Sequence, residues 1–126
     1  MTTPESATGS HRQDLVQRYF EGFRRSDHEA ILALLTDDVI WDLPGFRHLQ
    51  GKAAFDGEIE NEAFSGSPTL IVDRLIEGAD AVVALGTGQG TFVDGRVHRF
   101  AFNDVFTFAG DKISRVESYL VPLAAA

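Results

Sequence analysis

The chain has 126 residues, of which 44 % are hydrophobic and 24 % charged, with no cysteine and a formal net charge of −8. That is the size and composition of one soluble domain built on one core. It excludes disulfides and thiolate metal sites, and it argues against a basic nucleic-acid footprint or attraction to an anionic membrane surface. No apolar run approaches the ~20 residues needed to span a bilayer. Met1–Ser10 is polar and lacks the apolar segment of a secretion signal. The expectation is a cytoplasmic protein with a disordered lead at 1–10, a single domain over 11–122 and a loose tail at Leu123–Ala126.

Leu15, Val16, Tyr19, Phe20 and Phe23 recur at helical spacing, which predicts a first helix over about His11–Arg25. Ser26 and Asp27 suit the N-cap of a shorter helix bearing Ile31, Leu32, Leu34 and Leu35. Thr36-Asp37-Asp38 ends that helix, and Val39–Leu43 reads as a strand stopped by Pro44-Gly45. Gly51 precedes a third helix, about Lys52–Phe64, with a weaker apolar pattern.

From Thr69 onward every segment alternates like a strand. Leu70–Glu77 is followed by Gly78-Ala79-Asp80, and Ala81–Phe92 by Asp94-Gly95, a two-residue hairpin signal. Arg96–Phe108 is followed by Gly110-Asp111, and Ile113–Val121 comes last. Helices followed by a meander of long strands imply an α+β fold, with three N-terminal helices packed on a strongly curved antiparallel sheet.

The run Phe100–Phe108 carries the chemistry. Side chains alternate faces along a strand, so Phe100, Phe102, Asp104, Phe106 and Phe108 share one face. A carboxylate buried without a partner costs several kcal/mol and tends to take a proton instead. A neutral acid can donate a hydrogen bond to a developing oxyanion. The bland alternative is a buried Asp paired with Tyr19 or Arg99, although alternation puts Arg99 on the opposite face.

Tyr19 lies on the apolar stripe of the first helix, either as a core tyrosine or with its hydroxyl in a cavity. Asp42 shares a strand face with Ile40, while Val39, Trp41 and Leu43 face the other way. It is either a cap for the Pro44-Gly45 turn or a general base. His98 extends the Asp104 face toward Gly95, as a surface histidine or at a pocket mouth. His48 and the pair His11/His28 lack ligand spacing, so no metal is expected. Gly86-Thr87-Gly88-Gln89-Gly90 sits inside a strand pattern with no helix after it. That reads as curvature or a bulge and not as a phosphate cradle.

Several segments together resemble the nuclear-transport-factor-like superfamily, which includes ketosteroid isomerases, SnoaL-type polyketide cyclases and limonene-epoxide hydrolases. They are Leu15-Val16-Gln17-Arg18-Tyr19-Phe20, Leu35–Gly45, Gly51-Lys52-Ala53-Ala54, and Asn103–Phe108 with Lys112-Ile113. The resemblance covers nearly the whole chain and implies a cone-shaped α+β barrel around a cavity. By analogy with ketosteroid isomerase it implies a catalytic set of Asp42 as base, with Tyr19 and neutral Asp104 as oxyanion donors. Leu34, Ile59, Phe102, Phe106 and Leu120 would line the substrate site. At Gly57–Glu60 the chain has Glu58 and Ile59 where such isomerases carry aromatic pocket residues.

The implied function is a cofactor-free enzyme moving a proton next to a carbonyl of a small apolar substrate. The alternatives are a cyclase or epoxide hydrolase using the same pocket, and a non-catalytic ligand-binding or dimerisation domain. A homodimer is expected through the outer sheet face, where Arg99, Ala101, Val105 and Thr107 lie.

Overall fold

A computed structural model describes residues 10–60 and 63–124. The lead expected at 1–10 lies outside these residues apart from Ser10, as do the last two residues of the tail. Helix α1 (His11–Arg24) starts at Ser10, whose hydroxyl accepts the Gln13 N–H, with Asp14 in the first turn and Arg24 in the last. Each charge sits at the end of the helix that its sign favours. Helix α2 (His28–Leu32) is capped by the Asp27 side chain, which accepts the Ala30 N–H. Helix α3 (Lys52–Ile59) follows Gly51, whose φ of 90° suits glycine.

The strands are β1 (Leu35–Leu43), β2 (Arg47–Gln50), β3 (Phe64–Glu77), β4 (Ala81–Phe92), β5 (Val97–Ala109) and β6 (Lys112–Pro122). They form one curved sheet in the order β2-β1-β6-β5-β4-β3, open between its edges β2 and β3. The sheet is mixed: β3 to β6 form the expected antiparallel meander, but β1 runs parallel to β6. Periodicity reports which face a side chain takes, not which way the neighbouring strand runs.

Three boundaries differ from expectation. Strand β1 begins at Leu35 because Thr36-Asp37-Asp38 continues an extended edge and does not close a helix. Pro44-Gly45 makes a tight turn, with the Phe46 N–H bonded to the Leu43 carbonyl, and the chain returns as the unexpected strand β2. Strand β3 begins at Phe64, inside the segment expected as helix. The Gly66–Pro68 run is a break in register between Ser65 and Thr69, with Gly66 at φ 73°.

The core lies between the concave sheet face and the helices. Phe20, Phe55, Phe106, Ile31, Leu35 and Val116 are among its fully buried side chains. Phe20 stacks on Phe102 at 5.4 Å between centroids, and Phe55 stacks on Trp41 at 4.4 Å. Aromatic contacts of this kind tie α1 to β5 and β1, and α3 to β1.

Strands β3 and β4 approach so closely at Gly86 that an added Cβ would meet the Ile71 carbonyl oxygen at 2.0 Å. Gly86→Ala is therefore expected to cost about 2–4 kcal/mol by forcing the backbone apart. Gly57, inside α3 with nothing within 4 Å of an added Cβ, is the control. Gly57→Ala should stabilise by up to about 1 kcal/mol. Urea unfolding of both variants checks the pair, and unchanged stability in Gly86→Ala would contradict the close approach.

Candidate active site

A cavity opens between α1, β1, the start of β3 and the concave face of β5 and β6. Its inner chamber, about 130 Å³, is lined by Tyr19, Phe20, Trp41, Phe102, Asp104 and Ser118. Its outer part, about 330 Å³, is lined by Ser26, Glu58, Ile59, Glu60, Gly90 and His98. Phe23, Trp41, Leu43, Pro68, Phe100 and Leu120 line both, so the two are consecutive parts of one space.

Alternation along β5 puts Asp104 on the concave face with Phe102, Phe106 and Phe108, all buried. The residue is only 8 % exposed. Burial pushes its pKa up to about 7, opposed by a hydrogen bond from Ser118, its directly paired neighbour on β6. Ser118 is oriented in turn by Trp41, whose indole N–H donates to the Ser118 oxygen at 3.0 Å. An indole nitrogen can only donate. The Ser118 oxygen accepts from Trp41, and its own hydrogen is free to point at Asp104.

Tyr19 reaches the same chamber from α1. Its ring packs edge-on against Phe106 at 4.8 Å and is tilted against Phe23 at 4.9 Å. Its hydroxyl makes no hydrogen bond among the described residues. Burial raises its pKa well above the usual value, and the Asp104 charge raises it further. Tyr19 is thus a phenol throughout the neutral range: a donor facing a chamber that holds one acid.

Asp42 is not part of this group. Trp41 and Leu43 point into the cavity, so Asp42 points to the opposite face of the sheet, where it meets Arg115 at 3.4 Å and His48 at 3.7 Å. Arg115 also lies 3.7 Å from Glu117 on that face. The position expected to supply the base belongs to a half-exposed charge network outside the cone.

Of the expected lining residues, Phe102, Ile59 and Leu120 border the cavity. Leu34 and Phe106 do not: both are buried in the core, Phe106 beneath the Tyr19 and Phe20 rings. Sequence reasoning missed Ser118 and Trp41. The signals were present: Ser118 is a lone hydroxyl on the strand face it shares with Val116 and Leu120, and Trp41 sits between Val39 and Leu43 on theirs. Among the described residues no group of three or more His, Asp or Glu side chains is arranged to hold a metal ion.

The raised Asp104 pKa makes a signed prediction. Its folded pKa, about 7, lies above the ordinary 3.8, so the folded state holds this proton more tightly than the unfolded chain. The stability it confers is complete below pH 4 and is lost as pH rises through 7. Relative to Asp104→Asn, the wild type should lose roughly 2–3 kcal/mol between pH 5 and pH 8. Denaturant unfolding of both proteins at the two pH values measures this. Trp41, the only tryptophan, should also report a fluorescence transition near pH 7 that Asp104→Asn abolishes. A pH-independent stability difference would mean that the carboxyl is already ionised.

Comparison with known proteins agrees with this architecture. The family model for the SnoaL-like domain matches residues 16–116. An NTF2-like protein of unknown function from Burkholderia pseudomallei K96243 is 26 % identical, with a TM-score of 0.83 over 90 % of this chain and 92 % of that one. TerC, crystallised with polyporic acid, is 26 % identical, with a TM-score of 0.78 over 86 % of this chain and 90 % of its own. A protein from Xanthomonas campestris pv. campestris assigned as a polyketide cyclase is 26 % identical, with a TM-score of 0.75 over 86 % and 89 %. No curated protein matches the chain. With the family match extending from the first helix to the last strand, the chain belongs to the SnoaL-like domain family of the NTF2-like superfamily.

Proposed function

We propose that the protein is a cofactor-free enzyme that transfers a proton at the carbon next to a carbonyl of a small apolar molecule. Asp104 is the acid–base group in this reading. The observation that supports it is an aspartate with a pKa of about 7 in an apolar chamber. A catalytic acid–base works best when its pKa lies near the working pH, because both protonation states are then populated.

The substrate's carbonyl oxygen would take a hydrogen bond from the Tyr19 hydroxyl. The ionised Asp104 would remove the α-proton, the C–H electrons passing into the enolate whose oxygen Tyr19 steadies. Ser118, held by Trp41, keeps the Asp104 carboxyl oriented. Protonated Asp104 then returns its proton, either to a different carbon, which is isomerisation, or to the alkoxide formed when the enolate attacks a second carbonyl, which is aldol-type ring closure. Ring closure is the better fit. The isomerase arrangement needs a second carboxylate beside Asp104 in the inner chamber; Asp42 is on the far side of the sheet, and Glu58 and Glu60 border only the outer part. The 26 % identity to a protein assigned as a polyketide cyclase supports the same choice.

The test is deuterium exchange into α-C–H positions of cyclic and aromatic ketones, followed by NMR. Asp104→Asn should slow exchange by about 10²–10⁴-fold, and Tyr19→Phe by about 10²–10³-fold. Asp42→Asn should match the wild type. Equal loss in Asp42→Asn would restore the isomerase arrangement. Binding of ketones without any exchange would leave the domain a ligand carrier.

We also propose a homodimer through the outer sheet face. Ile71, Tyr119 and Val121 are 54 %, 44 % and 60 % exposed, and alternation puts all three on that face. Thr87 and Ala101 lie between Ile71 and Val121 across the sheet, and an exposed face with large apolar side chains suits pairing with a second copy. Sedimentation equilibrium should give twice the chain mass, and Val121→Arg should shift it to the monomer; a wild-type monomer at high concentration would refute the dimer.

A further inference from the structure

The far end of the cavity has a feature that the proton-transfer chemistry does not use. Gly86, Gly88 and Gly90 alternate along β4 and pair directly with Phe102, Phe100 and His98 on β5. At Gly86 and Gly88 the missing side chain makes room for the paired ring: an added Cβ would come within 2.8 Å of the Phe102 ring and 2.4 Å of the Phe100 ring. Glycine thus lets these rings lie over β4 and not rise into the cavity. The floor continues outward through His98, stacked on Phe100 at 5.4 Å and tilted against Phe92 at 5.7 Å.

His98 differs from the rest of that floor in having two polar ring atoms, and neither makes a hydrogen bond among the described residues. The imidazole borders the cavity mouth. His98 and Asp104 share one face of β5, six positions apart, which corresponds to about 20 Å of strand. The site therefore has a polar group at each end and rings between.

The mouth also limits the charge of what His98 can meet. Glu58 and Glu60 border it, Glu58 paired with Arg47 at 2.7 Å and Glu60 with His28 at 2.6 Å, a ring that Glu60 shares with Asp56. An anionic group there would face carboxylates with no free cation among the described lining residues. A neutral hydroxyl can bond to imidazole at no such cost.

We propose that His98 is a specificity residue that recognises a neutral hydroxyl on the distal end of an elongated, flat, ring-containing ligand whose carbonyl or enol end reaches Asp104. This rests on the reading of Asp104 given above, and it adds the length, shape and second polar group of the ligand.

The probes are 6-(4-hydroxyphenyl)-2-naphthol and 6-phenyl-2-naphthol. The naphthol hydroxyl stands in for the enol at Asp104, and the two differ only in the distal hydroxyl. Binding is read by Trp41 fluorescence and calorimetry. The wild type should prefer the diol by about tenfold, the worth of one hydrogen bond. His98→Phe keeps the ring stack and removes both nitrogens. It should bind the two probes equally, with affinity for 6-phenyl-2-naphthol unchanged within about twofold. His98→Gln, which restores a donor and an acceptor, should recover part of the preference. Asp104→Asn should weaken both probes alike and keep the ratio. A wild type without preference, or a His98→Phe protein that retains it, overturns the role of His98 alone. Failure of both probes to bind the wild type overturns the cavity reading and this proposal with it.

Discussion

One carboxyl group in an apolar face organises this protein. Asp104 occupies a concave-face position on β5 that would otherwise take a hydrophobic side chain, between Phe102 and Phe106. An ionised carboxylate there loses its hydration and recovers only what its neighbours provide. Ser118 provides one hydrogen bond, and Trp41 directs it. The balance between lost hydration and one donor leaves the group poised about its neutral point at physiological pH, which neither a surface Asp nor a well-paired buried one would be. The cost falls on the fold as reduced stability above pH 7. Aromatic contacts made by Tyr19, Phe20, Phe55 and Phe106 around the same spot help to offset it.

The mixed sheet makes this arrangement possible. Because β1 runs beside β6, the Trp41 indole can reach Ser118 across a parallel pair, while Asp104 meets Ser118 across an antiparallel one. Three strands thus contribute one group each to a single relay. A purely antiparallel meander of β3 to β6 would supply Asp104 and Ser118 but leave the serine hydroxyl free to turn. The parallel return of the chain to β1 is therefore a condition for the oriented acid.

Much of this was legible in the sequence, and the misses have physical causes. Helix α1 and strands β4 to β6 were read nearly to the residue, because long amphipathic patterns fix the buried face. The superfamily and the shared cavity of Tyr19 and Asp104 followed from pattern and motif together. The third helix was drawn too long because its apolar stripe is weak, and β2 was missed because four mostly exposed residues carry no periodicity. The Asp42 expectation conflicts with a reading made beside it. If Trp41 and Leu43 face the core, alternation sends Asp42 outward, and analogy with an isomerase cannot turn it back. Ser118 was hidden for a different reason: its importance depends on partners on two other strands, which a single strand's pattern does not reveal.

The glycine row on β4 shows how one sequence feature can carry two constraints. Read along the chain, Gly86-Thr87-Gly88-Gln89-Gly90 predicts bending, and the register break between Val72 and Arg74 beside Gly86 agrees. Read across the sheet, the same glycines face Phe102, Phe100 and His98, and give the two phenyl rings somewhere to lie. Bending wraps the open sheet around a space, and the recessed rings keep that space from filling with its own side chains. A β-branched residue, which strand propensity favours, would satisfy neither demand. Poor strand formers in the middle of a long strand weaken the sheet locally. Gly88 answers to the Phe100 ring on the face that bears Asp104, while Gly86 answers both to the Phe102 ring and to the Ile71 carbonyl of the neighbouring strand.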